Sequence, residues 1–130
     1  MQRIPSGFSA VILAGIWINA SEFFRNEFLL KHLWVSHYQS MGLVFPSGPM
    51  NGMIWGIWGG MFALAIYVIS RKFYLLHTTL IAWLTGFVLM WAVIWNLSVL
   101  PAAILLYAIP LSLLECGVGA YICRRISPPA

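Results

Sequence analysis

The sequence predicts an all-α fold, a four-helix transmembrane bundle with an interfacial amphipathic helix between spans 1 and 2. Three observations carry this expectation. Of 130 residues, 62% are hydrophobic and 8% are charged, against about 25% charged in a soluble domain. The apolar residues fall into four continuous runs, each near the roughly 20 residues that a helix needs to cross a bilayer. The basic residues gather at the ends of those runs. So few charges leave little to cover a water-facing surface. The runs also lack the period-two alternation of a β-barrel. A single integral-membrane domain over residues 1–130 is expected.

The first span is placed at 6–24. Its basic start and apolar centre resemble a secretory signal, but a cut after Ala20 would put Ile18 where a small residue is wanted, so an uncleaved span is expected. Asn19 and Glu22 near its end must either leave the hydrocarbon or turn inward to protein. From Ser21 to about Gln39 nothing breaks a helix. Glu22 and Arg25 stand at i,i+3, and Glu27 and Lys31 at i,i+4 in the favourable order. This stretch predicts a helix that runs out of the membrane and then lies at the interface, with Trp34 and Tyr38 as anchors. Pro46, Gly48 and Pro49 mark a turn.

The second span, 50–70, carries Gly52, Gly56 and Gly60 at steps of four, with Gly59 and Ala63 alongside. Small residues at that spacing let another helix approach closely. Arg71 and Lys72 turn the chain into a third span, 73–96, on which Trp83, Phe87, Trp91 and Trp95 step by four. The fourth span, 101–123, opens at Pro101 and contains Pro110, which predicts a kink. Arg124 and Arg125 close it, and the tail ISPPA is expected to be unstructured.

Four spans bring both termini to one face. Arg3, Arg71, Lys72, Arg124 and Arg125 share that face, five of the seven basic residues. The positive-inside rule then places the termini in the cytoplasm of a bacterial inner membrane. The net charge of +4 is accounted for by these topology signals, so no nucleic-acid partner is expected. Cys116 and Cys123 are about 10.5 Å apart along one helix, too far for a disulfide within it, and read as buried thiols. His32 and His37 are five apart and share no helix face, and His77 lies toward the opposite side. No metal, haem or other cofactor is expected.

Glu115 is the sharpest single residue. It lies in the apolar run LSLLECGVGAYI, deep in the fourth span. An ionisable group there costs several kcal/mol unless it is paired, hydrated or protonated. Antiparallel packing of spans three and four places it near the level of Ala82, with Thr78, Thr79, Thr85, Tyr67 and His77 as candidate partners. A second constellation is expected at the outer helix ends, where Asn19, Glu22, Arg25, Asn26, Asn51 and Asn96 meet aromatic walls of Trp17, Trp55, Trp58, Trp91 and Trp95. A few polar groups among aromatic rings describe a general ligand pocket.

The segments WINASEFFRNEF and AWLTGFVLMW, with the polar-poor last span, resemble small bacterial four-helix inner-membrane proteins of unassigned function. That resemblance implies a layout and no activity. Small multidrug exporters share the size and the lone membrane glutamate. Their essential acid lies in the first span, whereas Glu115 lies in the fourth.

The functional expectation is membrane-embedded binding or transport of a small lipophilic or cationic ligand. Glu115 compensates charge or exchanges a proton, and the outer polar residues line the entrance. A path through four short helices calls for a homo-oligomer. One alternative is an accessory or assembly subunit of a larger membrane complex, docking through its glycine and aromatic faces. Another is a small intramembrane enzyme acting on a lipid with Glu22 and a histidine. A continuous cavity to Glu115 favours transport, and a dry, lipid-facing or fully packed Glu115 rules it out.

Overall fold

The structure, a computed structural model, describes residues 5–130, so Arg3 and its topology role lie outside the described residues. Four helices are long and apolar enough to cross a membrane: α1 (Ser6–Leu29), α3 (Pro49–Ser70), α4 (Leu75–Asn96) and α5 (Ala102–Ile126). A shorter helix, α2 (Lys31–Ser40), follows α1. Around the bundle α1 packs on α3 and α5, and α4 closes the ring against the same two. Ala10, Ala14 and Ile18 on α1, Ala63 and Ile66 on α3, and Cys116, Ala120 and Cys123 on α5 are all fully buried. Small side chains on the inner faces allow the close backbone approach that packs helices where lipid supplies no hydrophobic drive. The outward faces carry exposed Phe8, Ile16, Met61, Leu76 and Leu106, among others.

The glycine face of α3 is used differently from expectation. A Cβ on Gly59 would strike the Asn19 side chain, so α1 crosses at Gly59. Gly52, Gly56 and Gly60 have nothing within 4 Å of where a Cβ would stand. On α4, Gly86 admits the Phe62 ring in the same way.

The unbroken helix expected from Ser21 to Gln39 is interrupted. The last turn of α1, Phe24–Leu29, is π-helical, and the Leu30 N–H reaches back five residues to the Arg25 carbonyl (2.9 Å). The wide turn lets Glu22, Arg25 and Leu30 all point inward. Leu30 then leaves helical geometry at φ −113° and α2 begins. At the far end of α2, Gly42 (φ +74°) closes a Schellman turn, with Leu43 N–H bonding Tyr38 O and Gly42 N–H bonding Gln39 O. His37 Nε2 lies 2.7 Å from the carbonyl of Ser98, the one non-glycine residue with positive φ among those described. It thus ties α2 to the α4–α5 turn.

The expected spans coincide with the helices within a few residues, except that α1 runs on to Leu29. Pro110 lies inside α5 without ending it. The tail after α5 departs from expectation. Ser127 is buried, accepts a hydrogen bond from Ser6 Oγ (3.2 Å), and its carbonyl accepts from Arg71. Arg71 also bonds the Pro128 carbonyl (2.7 Å). Arg71 thus ties the segment after α5 to the end of α3.

Candidate functional site

The polar core of the molecule is built where α1 and α5 cross. Trp17 on α1 donates its indole N–H to the Glu115 carbonyl of α5 (2.9 Å), which fixes the antiparallel register. Arg25 lies eight residues beyond Trp17, about 12 Å along the helix axis. Helical side chains lean toward their own N-terminus. Because the helices run in opposite directions, Arg25 leans back and Glu115 leans forward, and the two converge.

The result is one guanidinium between two carboxylates. Arg25 pairs with Glu22 through Nη2, and its Nη1 lies 3.5 Å from Glu115 Oε1. Side-chain exposure is 6% for Arg25, 2% for Glu22 and 0% for Glu115. Glu22 is further held by Asn26 Nδ2 (3.0 Å) and by the Trp55 indole N–H (3.1 Å). Arg25 also stands over the Phe87 ring, 5.2 Å from its centroid, and Phe87 is backed by Trp58, Phe62 and Trp91. By contrast, Arg25 Nη1 and both carboxylate oxygens of Glu115 make no hydrogen bond.

Both π-helical turns among the described residues border this cluster. Arg25 sits on the first. Phe87 sits on the second, Leu84–Val88, where the Leu89 N–H bonds the Leu84 carbonyl five residues back. Such turns insert one residue and re-aim the side chains beside it, and they recur at functional sites.

The structure unites residues that the sequence reading kept in two groups. Glu115, Glu22, Arg25 and Trp55 meet in one cluster. Asn19 lies one turn below it, where Nδ2 donates to the Gly56 carbonyl (3.4 Å), and Trp91 is buried against Phe87. Asn51 and Asn96 do not join. Asn51 is exposed and caps α3 by accepting from the Gly48 N–H (3.1 Å). Asn96 is exposed at the end of α4.

The expected partners of Glu115 are also replaced. Trp83 bonds Ser112 (2.9 Å) and Gly117 faces Thr79, so Glu115 does lie near the level of Ala82. Its side chain, however, turns to α1 and not to α4. Thr78, Thr79 and Thr85 spend their hydroxyls on carbonyls of their own chain segment, Tyr67 lies against Ser127, and His77 is exposed. The sequence reading places Trp17 in the aromatic wall, whereas Phe87, expected only in the stripe along α4, was the member hardest to foresee. Charge arithmetic could have found Arg25: once Glu27 pairs with Lys31 (2.8 Å), Arg25 is the basic residue left beside the remaining two acids.

Among the described residues no group of three or more His, Cys, Asp or Glu is arranged to hold a metal ion. Cys116 and Cys123 are buried free thiols. No known protein family, curated protein or solved structure matches the chain. The class is therefore defined by the molecule itself: an all-helical chain, four of its helices long and apolar enough to cross a membrane, with a Glu–Arg–Glu cluster at its centre.

Proposed function

We propose that this protein is an integral membrane protein that binds and exchanges a proton at the Glu22–Arg25–Glu115 cluster. The observation that carries the reading is the charge count of the cluster. Two carboxylates share one guanidinium, so one negative charge is left over in a site with almost no solvent contact. An uncompensated buried charge is strongly unfavourable. A compact cation would also meet the Arg25 charge, whereas a proton needs no cavity and can sit on either carboxyl. Full burial of Glu115 rules against transport of a small lipophilic or cationic ligand, and the proposal is confined to a proton, which needs no cavity at the carboxyl.

In this reading α1, α3, α4 and α5 span the inner membrane, and α2 lies at the outer interface with Trp34 and Tyr38 packed on Phe45. Arg71, Lys72, Arg124 and Arg125 stand at the cytoplasmic end. Arg25 holds the two carboxyls within reach of one proton, and the two π-helical turns are the parts whose rearrangement would open the cluster to either side.

Reconstitution into liposomes that contain a pH-sensitive dye tests this. Under an imposed membrane potential the protein should admit protons faster than empty liposomes, and Glu115→Gln should abolish the difference. A rate unchanged by Glu115→Gln would overturn the reading.

An accessory role in a larger membrane complex is favoured by a separate observation. The Gly52, Gly56 and Gly60 face of α3 is left open, and a partner helix could approach there. Disulfide cross-linking through Gly56→Cys in native membranes would capture such a partner.

A further inference from the structure

A long groove runs between the first half of α4 and the second half of α5, with a volume of about 620 Å³. Leu75, Leu76, Thr79, Leu113, Gly117 and Tyr121 are among its lining residues. Thr79 spends its hydroxyl on the Leu75 carbonyl (2.8 Å) and turns its methyl toward Gly117, so the floor is apolar. Gly117 keeps that floor low, since any larger side chain would fill it.

The groove does not end blindly. A second cavity of about 210 Å³ shares Leu75 and Tyr121 with it and is bounded by Arg124 and Arg125. Arg124 donates to the Ser70 (3.1 Å) and Phe73 (2.7 Å) carbonyls, which holds it in place without neutralising it. Arg125 is exposed. The chain has three acidic side chains, and all are engaged elsewhere: Glu22 and Glu115 with Arg25, and Glu27 with Lys31. An apolar trough thus opens onto two arginines that no carboxylate of this chain neutralises.

We infer that this groove binds an anionic phospholipid, with an acyl chain between α4 and α5 and the phosphate at Arg124 and Arg125. Charge complementarity selects the occupant. A zwitterionic lipid fills the trough equally well but leaves the arginines uncompensated, and a free phosphate uses none of the apolar wall. The inference rests on the membrane-spanning reading but not on the proton site, which lies on the opposite side of α5.

The test is native mass spectrometry of the full chain released from micelles that contain phosphatidylglycerol or phosphatidylcholine with the same acyl chains. Phosphatidylglycerol should be retained preferentially. Arg125→Gln should weaken its retention about fivefold, the equivalent of roughly 1 kcal/mol for one arginine at an anionic surface. Gly117→Leu should weaken both lipids by filling the trough. Arg125 is exposed and bonded to nothing among the described residues, so its variant decides the matter even if Gly117→Leu folds poorly. Equal retention of the two lipids by the unaltered protein would overturn the inference. A phosphatidylglycerol preference untouched by Arg125→Gln, or displaced in full by inorganic phosphate, would also overturn it. Neither substitution touches the Glu–Arg–Glu cluster, so absence of lipid selectivity in the unaltered protein, with proton exchange intact, would sink the groove alone.

Discussion

Replacing Arg25 by glutamine should be the most damaging single change in the polar core. Arg25→Gln leaves two buried carboxyls without their shared cation. Glu22 would keep Asn26 at 3.0 Å and Trp55 at 3.1 Å, whereas Glu115 would keep no side-chain partner. Breaking a buried ion pair from one side costs about 3–5 kcal/mol. The lower end is expected here, because helices unfolded within a micelle still find polar partners. Glu115→Gln should cost only about 1 kcal/mol, since the 3.5 Å contact it loses carries no hydrogen bond. The two changes share one interaction, so the double variant should be less destabilised than the sum, with a coupling of about 0.5–3 kcal/mol. Equilibrium unfolding in mixed mild-detergent and dodecyl sulfate micelles, followed by circular dichroism, measures all three variants. Additivity, or an Arg25→Gln protein as stable as the parent, would refute the shared-cation argument.

Other consequences follow from the packing. Gly59→Leu and Gly86→Leu should each cost about 1–3 kcal/mol by overpacking, because a Cβ there meets Asn19 and Phe62. Gly52→Ala and Gly56→Ala should be close to neutral in the isolated protein, and the same unfolding assay separates the two groups. Asn51→Ala should cost about 0.5–1.5 kcal/mol through loss of its hydrogen bond from the Gly48 N–H while proton flux is unchanged. A flux defect would place Asn51 in the site after all. Cys116 and Cys123, both buried, should react with a maleimide only after unfolding, and rapid labelling of the folded protein would contradict the packing of α5.

The layout of the helices was legible because lipid-grade apolar runs and terminal basic residues obey simple rules of length and charge. The face each side chain takes was not. Antiparallel packing placed Glu115 at the right level of α4, yet rotation of α5 about its own axis decides whether it meets Thr79 or Arg25. The π-helical turn at Phe24–Leu29 adds a second difficulty. It shifts the phase of the end of α1, and no residue in FRNEFL advertises it. Asn51 and Asn96 misled for a related reason: asparagine at a helix end serves the backbone as readily as a ligand. The bond from Arg71 to the Ser127 carbonyl was hidden because side-chain-to-carbonyl caps leave no charge pattern in the sequence.

The central claim is that Glu22, Arg25 and Glu115 form one buried cluster that holds a single exchangeable proton. Infrared spectroscopy of the reconstituted protein at neutral pH tests it most directly, through the deuterium-sensitive stretch of a protonated carboxyl. The account predicts one such band, lost or shifted in Glu22→Gln and Glu115→Gln and unchanged in Glu27→Gln. Absence of the band, or a band that persists unaltered in both cluster variants, would contradict it.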